Sequence, residues 1–482
     1  MTVTTSSSSW QPVREADATL VAQLADDLAR RIDDQGLRPG TRLPSIRKMA
    51  EQAGVSRFTV VEAYDRLVAR GLVQSRRGAG FFVRARSQPL APAAPAAAPP
   101  APARVDSVWL LRSMFRDTPA AGMPGSAGLL PPDWLDPEMV AGAVRAVGRS
   151  VRSQLLGYGH PQGYAPLRQQ IASMLQEHGL PAHPERNLLT TNGVTHGLDL
   201  VARYLVQPGD TVLVEDPAWF VIFGRLAAMG ARLIGVPRGP QGPDIALLEQ
   251  VAAEHKPKLF IVNSAVHNPT GHTLSAGAAY DILRVAERHD FMVVEDDTYG
   301  ELHPGGAIKL AQLDRFRRVI LAGGFSKMLA ASLRVGYLAA DEQVLQKLAD
   351  LKMLAGLTSC ELGERVVHRV LVEGQYRRHI ERVRLRVDEA RQRCVKGLLR
   401  LGLTLPHEPH AGMFVWADCG RDAETVARAA VDRGMLLAPG SLFSPVQAPS
   451  RMLRFSVTMA DSAAMWRELA ALLPPRPAAA VL

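Results

Sequence analysis

Residues 87–107 read SQPLAPAAPAAAPPAPARVDS. Proline and alanine at that density, with no aromatic ring and almost no charge, cannot build a core and favour an extended, semi-stiff spacer. The segment therefore splits the 482 residues into two bodies. A chain this long exceeds what a single core ordinarily organises, so a division is expected on size as well. At about 3.1 Å per residue the spacer reaches on the order of 60 Å, which permits several dockings of the two bodies, including on different subunits. The expected organisation is a head over 13–86, a tether over 87–107 and a body over 108–482. From about 365 the body becomes a smaller α+β lobe.

The head carries much of the charge. Of a net +9, residues 1–86 hold 14 Lys+Arg against 9 Asp+Glu, leaving 42 against 38 for the remainder. Arg70, Arg76, Arg77, Arg84 and Arg86 fall within 70–86 with no acid among them. A local field of that sign suits a phosphate backbone. Beneath it the pattern is three helices and a hairpin. Leu20, Val21, Leu24, Leu28 and Ile32 recur at helical spacing. Pro39-Gly40 breaks the chain, a second helix starts near Ser45, and Gly54 ends it. Ser56 caps a third helix with Val60, Tyr64, Leu67 and Val68 on its apolar face, and Gly71 is placed to stop it. Leu72-Val73 and Phe81-Phe82-Val83 flank Gly78-Ala79-Gly80 as a hairpin. Two helices meeting at Gly54-Val55 and followed by a basic hairpin form a winged helix-turn-helix pattern. Its reading edge begins Ser56-Arg57-Phe58-Thr59, which puts donors at the turn that enters a major groove. Arg47 is placed to hold a phosphate, Arg76, Arg77 and Gly80 form the wing, and Ser45 joins the DNA-contacting set.

No apolar run approaches the roughly 18 to 20 residues of a membrane span, and the Ser/Thr-rich start lacks an apolar h-region, so a cytoplasmic protein is expected. Cys360, Cys394 and Cys419 are far apart and show no CxxC spacing, which argues against both a disulfide framework and a zinc site. No metal is expected. After the tether, β-branched runs at 188–191, 211–215, 258–263, 291–294, 319–322 and 334–339 alternate with helical stretches. That alternation predicts an α/β body with a largely parallel sheet. Short strands near 413–417 and 451–457 belong to the smaller lobe.

Five features sit at the ends of these strands. Gly323-Gly324-Phe325-Ser326-Lys327 presents a lysine, and Val293-Val294-Glu295-Asp296 presents an acid where a buried strand ends. Asn268, in His267-Asn268-Pro269-Thr270-Gly271, and Tyr299, three residues after Asp296, offer hydrogen bonds. Asn192-Gly193-Val194-Thr195 opens a helix, so free N–H groups and the helix dipole face an anion, and Arg334 adds a bidentate charge. Trp219 offers a stacking face. Pyridoxal phosphate needs these five things: a lysine, an acid for its ring nitrogen, partners for its ring oxygen, a phosphate cup and a stacking face.

The wording LPSIRKMAEQAGVSRFTVVEAYDRLVARGLVQSRRGAGFFV resembles the DNA-binding domain of GntR-type regulators from about Leu20 to Val83. The resemblance implies DNA contacts by Arg47, Arg57 and Thr59, while Val61 stands where some members carry arginine. From about 125 to 470 the chain resembles fold-type I aminotransferases through YGHPQGYAPLR, NGVTHGLDL, VHNPTG, EDDTYGEL, FSKMLAASLRVGYL and MLRFS. By that resemblance Tyr158 approaches the phosphate of a neighbouring subunit's cofactor, and Arg454 binds the carboxylate of an amino acid. Two departures stand out: Gly324 replaces a usual serine, and Ala331-Ser332 replace Pro-Gly.

A head and body of these kinds, joined by a proline-rich tether, are together similar to MocR-type transcription regulators. The resemblance implies a sensor in which Lys327 holds pyridoxal phosphate as an internal aldimine. An amino compound or B6 vitamer displaces the lysine and so alters how the body holds the heads on operator DNA. It also implies a head-to-tail homodimer that is nucleoid-associated when bound to DNA, without physiological turnover beyond residual or half-transaminase activity. Two other readings use the same residues: a working aminotransferase with an accessory DNA-binding head, and a repressor whose body is only a dimerisation scaffold.

Overall fold

The computed structural model describes residues 18–34, 37–84, 125–150 and 156–473. The chain divides into two compact units, Met1–Ala103 and Arg104–Leu482. The expected tether over 87–107 lies outside the described residues.

In the first unit, α1 (Leu20–Asp33), α2 (Ile46–Ala53) and α3 (Arg57–Ala69) precede a hairpin of β1 (Val73–Arg76) and β2 (Gly80–Val83). Each helix starts on a hydroxyl that accepts from its first turn: Thr19 from Ala22, Ser45 from Lys48 and Ser56 from Thr59. Gly54 turns the chain between α2 and α3 at φ 63°, a conformation that suits glycine. Leu24, Leu28, Met49, Val60, Tyr64 and Leu67 meet in one core. The Tyr64 hydroxyl donates to Pro44 O at 2.9 Å, and its ring meets Phe81 edge-on at 4.9 Å. Val68 does not join this core. The buried stripe of α3 runs through Val60, Ala63, Tyr64 and Leu67, and Val68 falls beyond its edge, on the solvent side. In the hairpin Val73 pairs with Val83 and Arg76 with Gly80.

The second unit is built on an eight-stranded sheet. Its strands are β3 (Leu188–Thr191), β4 (Thr211–Asp216), β5 (Arg232–Gly239), β6 (Gly242–Pro243), β7 (Leu259–Val262), β8 (Met292–Asp296), β9 (Val319–Gly324) and β10 (Gly336–Ala339). They lie in the order β3-β10-β9-β8-β7-β4-β5-β6. The run from β9 to β5 is parallel, whereas β10 is antiparallel to both neighbours and β6 to β5. Alternate residues of the central strands feed two cores. Leu213, Phe260, Val293 and Leu321 belong to one, and Val214, Ile261, Val294 and Ile320 to the other. Burial on both faces is why these strands read as continuous apolar runs. Beyond the sheet, α4 (Gln375–Arg400) leads into an antiparallel sheet of β11 (Phe414–Asp418), β12 (Ala438–Pro439) and β13 (Met452–Ser456), in the order β11-β13-β12. This is the smaller lobe.

Among the described residues no helix is long and apolar enough to cross a membrane, and no group of three or more His, Cys, Asp or Glu is placed to hold a metal. The three cysteines are free thiols, with Cys394 buried and Cys360 exposed.

Candidate cofactor site and DNA-reading edge

Where the parallel strands end, a cavity of about 620 Å³ opens. Ligands of open α/β sheets bind at that end of the strands. Of the body residues singled out in the sequence, Val194, Thr195, Trp219, Asn268, Asp296, Tyr299, Ser326, Lys327, Arg334 and Arg454 all line this one cavity. Gly193 stands at its edge as the N-cap of the helix Val194–Leu205. Tyr158 does not line it and is 84% exposed.

Lys327 follows β9 and donates from Nζ to Gly128 O at 2.8 Å. Burial, with the Arg454 and Arg334 guanidinium groups nearby, pushes its pKa down to about 8. A neutral amine, the nucleophilic form, is thereby accessible near physiological pH. Asp296 ends β8, and its Oδ1 accepts from Thr298 N at 3.0 Å and Thr298 Oγ1 at 2.5 Å. Burial holds its carboxyl above the ordinary aspartate range. Asn268 is fixed through its backbone N–H, which donates to Asn263 Oδ1 at 2.8 Å, while Asn263 Nδ2 donates to Asp296 O at 2.7 Å. Behind Asn263, its N–H donates to Glu215 Oε2 at 2.8 Å, and Glu215 pairs with Arg238 in the interior.

Arg454, on β13, reaches the cavity from the smaller lobe. Its Nη1 donates to Asn268 Oδ1 at 2.8 Å, and its Nε and Nη2 donate to Ser126 Oγ and O at 3.1 and 2.7 Å. Phe414 and Phe443 flank the guanidinium at 4.2 and 5.0 Å from their ring centroids. Burial pushes its pKa down to about 10, which leaves it cationic at neutral pH. Arg334, which lines the same cavity, donates from Nη1 to Ser326 Oγ at 3.3 Å and from Nη2 to Asn192 O at 3.2 Å. A Cβ on Gly193, which sits at φ 76°, would run into Arg334 Nη2. Glycine there lets the guanidinium lie over the helix start, where the N–H groups of Val194 and Thr195 have no intrahelical acceptor.

In the head the reading edge is largely self-satisfied. Ser56 Oγ accepts from Thr59 N at 3.1 Å and lies 2.8 Å from Thr59 Oγ1, and Ser45 Oγ accepts from Lys48 N at 3.3 Å. Arg47 pairs with Glu51 at 3.1 Å on the surface, and Arg57 is exposed. In the wing the Arg76 guanidinium lies 4.7 Å over the Phe82 ring. Gly80 adopts φ 105°, where an ideal Cβ would come within 3.3 Å of Arg42 Nε. Arg42, which bridges to Phe82, therefore forms the base of the wing.

Residues 130–472 match the model of aminotransferase class I and II, and residues 20–83 match that of bacterial regulatory proteins, gntR family. The chain is 30% identical over 457 residues to the probable rhizopine catabolism regulatory protein MocR of Rhizobium meliloti, covering 88% of this chain and 87% of the relative. The chain belongs to the MocR-type family. This MocR-type chain is also 32% identical to a 2-aminoadipate transaminase of Thermus thermophilus, over 73% of its own length and 89% of the relative's. Among solved structures it matches LysN, the alpha-aminoadipate aminotransferase of Thermus thermophilus complexed with N-(5'-phosphopyridoxyl)-L-leucine. That match has a TM-score of 0.68 at 30% identity, over 76% of this chain and 95% of that one. The kynurenine aminotransferase of Pyrococcus horikoshii gives a TM-score of 0.69 at 26% identity, over 76% of this chain and 93% of that one. The body thus has the fold-type I aminotransferase architecture, and the cofactor of its class is pyridoxal phosphate.

The donor set of the MocR-type body fits that cofactor. Asp296 is a buried acid held above its ordinary range, an environment that a protonated ring nitrogen would relieve. Arg334 and Ser326 meet beside the helix start, and Lys327 lines the same cavity. The Gly324 departure also has a local cause. An ideal Cβ there would lie 3.0 Å from Val194 Cγ2 and 3.3 Å from Gly336 Cα, so a side chain would be crowded by the β-branched Val194 and by the neighbouring backbone. Sequence reasoning missed Ser126, Gly128, Asn263, Thr298, Phe414 and Phe443. The small-residue stretch Gly125-Ser126-Ala127-Gly128 was a legible sign of close approach. Nothing local marked the two phenylalanines.

Proposed function

We propose that the chain is a DNA-binding transcription regulator whose body holds pyridoxal phosphate through Lys327 and responds to an amino compound bearing a carboxylate. The observation that carries this reading is the convergence of Lys327, Asp296 and Arg454 on one cavity in a chain that also has a gntR-type head. When bound, pyridoxal phosphate supplies a carbonyl carbon for amines and an electron-withdrawing ring. The chain's own residues do the rest. Lys327 Nζ, with its lowered pKa, is the attachment point, and Gly128 O keeps it oriented. Asp296, steadied by Thr298, would hold a proton on the ring nitrogen, and Asn268 and Tyr299 would be the partners of the ring oxygen. Trp219 offers a stacking face, and Arg334 with the Gly193-Val194-Thr195 turn takes the phosphate. Arg454 offers the effector's carboxylate a charge-assisted fork, exchanging its bond to Asn268 for one to the ligand. In the head, Arg57 reads DNA, while Arg47, Arg76 and Arg77 hold phosphates. The chain acts as a homodimer, with Tyr158 serving the partner's site.

The test is a visible absorbance spectrum of the purified protein, followed by borohydride reduction and mass mapping. A pyridoxyl label on Lys327 is expected. Lys327→Ala should lose both the label and any effect of amines on operator binding while still binding DNA. A Lys327→Ala protein that responds normally to the effector, or a wild type that takes no label, sinks the proposal. A second reading, a working aminotransferase, draws on the 2-aminoadipate transaminase relative and on the complete set of Lys327, Asp296 and Arg454. Steady keto-acid formation from an amino donor and 2-oxoglutarate would favour it.

A further inference from the structure

Phe58 lies in the first turn of α3, between Arg57 and Thr59, and is 70% exposed. Among the described residues of the head, the exposed large apolar side chains are Phe58 and Val68. The buried stripe of α3 passes through Val60, Ala63, Tyr64 and Leu67, and Phe58 stands on the opposite side of the helix, away from the core. Nothing in the packing of the head requires a ring there. Its neighbours are otherwise engaged. The hydroxyls of Ser56 and Thr59 bond each other and the helix start, and Arg47 is paired with Glu51. What α3 presents freely at its tip is Arg57 and the Phe58 ring.

A phenyl ring has no donor or acceptor. The major-groove feature of a base pair that it can distinguish is the C5 methyl of thymine, the apolar group at that edge. Val61, three residues on and half-buried, gives the ring an apolar neighbour on the same side of the helix. Farther along, the exposed acids Glu62 and Asp65 repel phosphates, which leaves the first turn as the part of α3 that closes on the groove. We infer that Phe58 is a specificity-determining residue that reads a thymine methyl in each half-site. The inference rests on the DNA-binding reading above.

The test starts with duplexes selected from a random pool by the full-length protein, each then rebuilt with deoxyuridine replacing one thymine at a time. That replacement removes the methyl and keeps every hydrogen-bonding group. For wild type, one position per half-site should lose about fourfold in affinity, the worth of one buried methyl. Phe58→Ala should bind the thymine and uracil duplexes equally, at about the wild-type affinity for the uracil duplex, and Phe58→Leu should keep part of the preference. The salt dependence should be unchanged, because no phosphate contact is lost. A wild type indifferent to uracil at every position, or a Phe58→Ala protein weakened equally on both duplexes with the preference intact, overturns the inference. If no duplex is enriched at all, and Arg57→Ala behaves as wild type, it is the DNA-binding reading that fails.

Discussion

Lys327 owes its chemistry to its surroundings. Burial and two guanidinium groups lower its pKa from 10.5 to about 8, so the charged amine is the form the cavity disfavours. At pH 7 roughly a tenth of such a lysine is neutral, and the fraction rises through pH 8 and levels off above pH 9. The rate at which apo-protein takes up pyridoxal phosphate should follow that curve, rising about tenfold between pH 7 and 9. Stopped-flow absorbance measures it, and a midpoint left near 10.5 would refute the argument. Arg454→Ala, which removes one of the two cations, should move the midpoint upward. A second prediction concerns the contact between Val194 and the Gly324 backbone. Gly324→Ser alone should weaken cofactor retention, since its Cβ meets Val194 Cγ2 at 3.0 Å. Paired with Val194→Ala it should improve retention about fivefold, the worth of one added hydrogen bond of about 1 kcal/mol. Dialysis of the four proteins forms a double-mutant cycle, and additive effects would show that the two positions are not coupled. Lys327, Asp296, Asn268 and Arg334 were legible because each lies at a strand's end or in the connection that follows one. Ser126, Phe414 and Phe443 were not, because they meet Arg454 from 328, 40 and 11 residues away in the chain, and no local pattern encodes such a meeting.

One element was concealed by its own composition. β5 runs Arg232–Gly239 with Gly235 and Pro237 inside it, residues that argue against a strand interior. It tolerates them because one side pairs with β4 from Arg232 to Pro237, while the other meets the two-residue β6 only at Arg238 and Gly239. Val68 misled for the opposite reason: an apolar residue next to a buried stripe carries no mark of which side it faces. The hairpin of the head was legible from its glycine tip, and it supports a prediction of its own. Arg77 stands exposed at the turn, whereas Arg76 stacks on Phe82. Arg77→Ala should weaken binding to all duplexes alike and reduce the slope of log affinity against log salt by about 0.9, the signature of one lost phosphate contact. Arg76→Ala should do the same and also lower the thermal stability of the head, because it removes a cation–π contact. A salt slope unchanged in both variants would take the wing off the DNA.

The whole molecule raises the question of how many chains make one site. Tyr158 is 84% exposed in its own chain and away from its own cavity, and Leu156 beside it is 89% exposed. Gly159 packs against Glu361, which puts this segment next to a stretch where Leu354 and Leu357 are 85% and 51% exposed. Exposed apolar side chains in such company need a cover, and in the proposed homodimer a second copy of the chain would supply one. If Tyr158 serves the partner's cofactor, each site takes Lys327 from one chain and Tyr158 from the other. Co-expressing Lys327→Ala and Tyr158→Phe chains with different tags separates the alternatives. In the mixed dimer, service across subunits leaves one site with both residues intact and one with neither. Service within a chain leaves no intact site. The Tyr158→Phe homodimer should retain pyridoxal phosphate about tenfold more weakly than wild type, the loss of a hydrogen bond to a charged group. The mixed dimer should then hold one cofactor per dimer with wild-type retention after dialysis. Retention at the level of the Tyr158→Phe homodimer would mean that Tyr158 does not reach across.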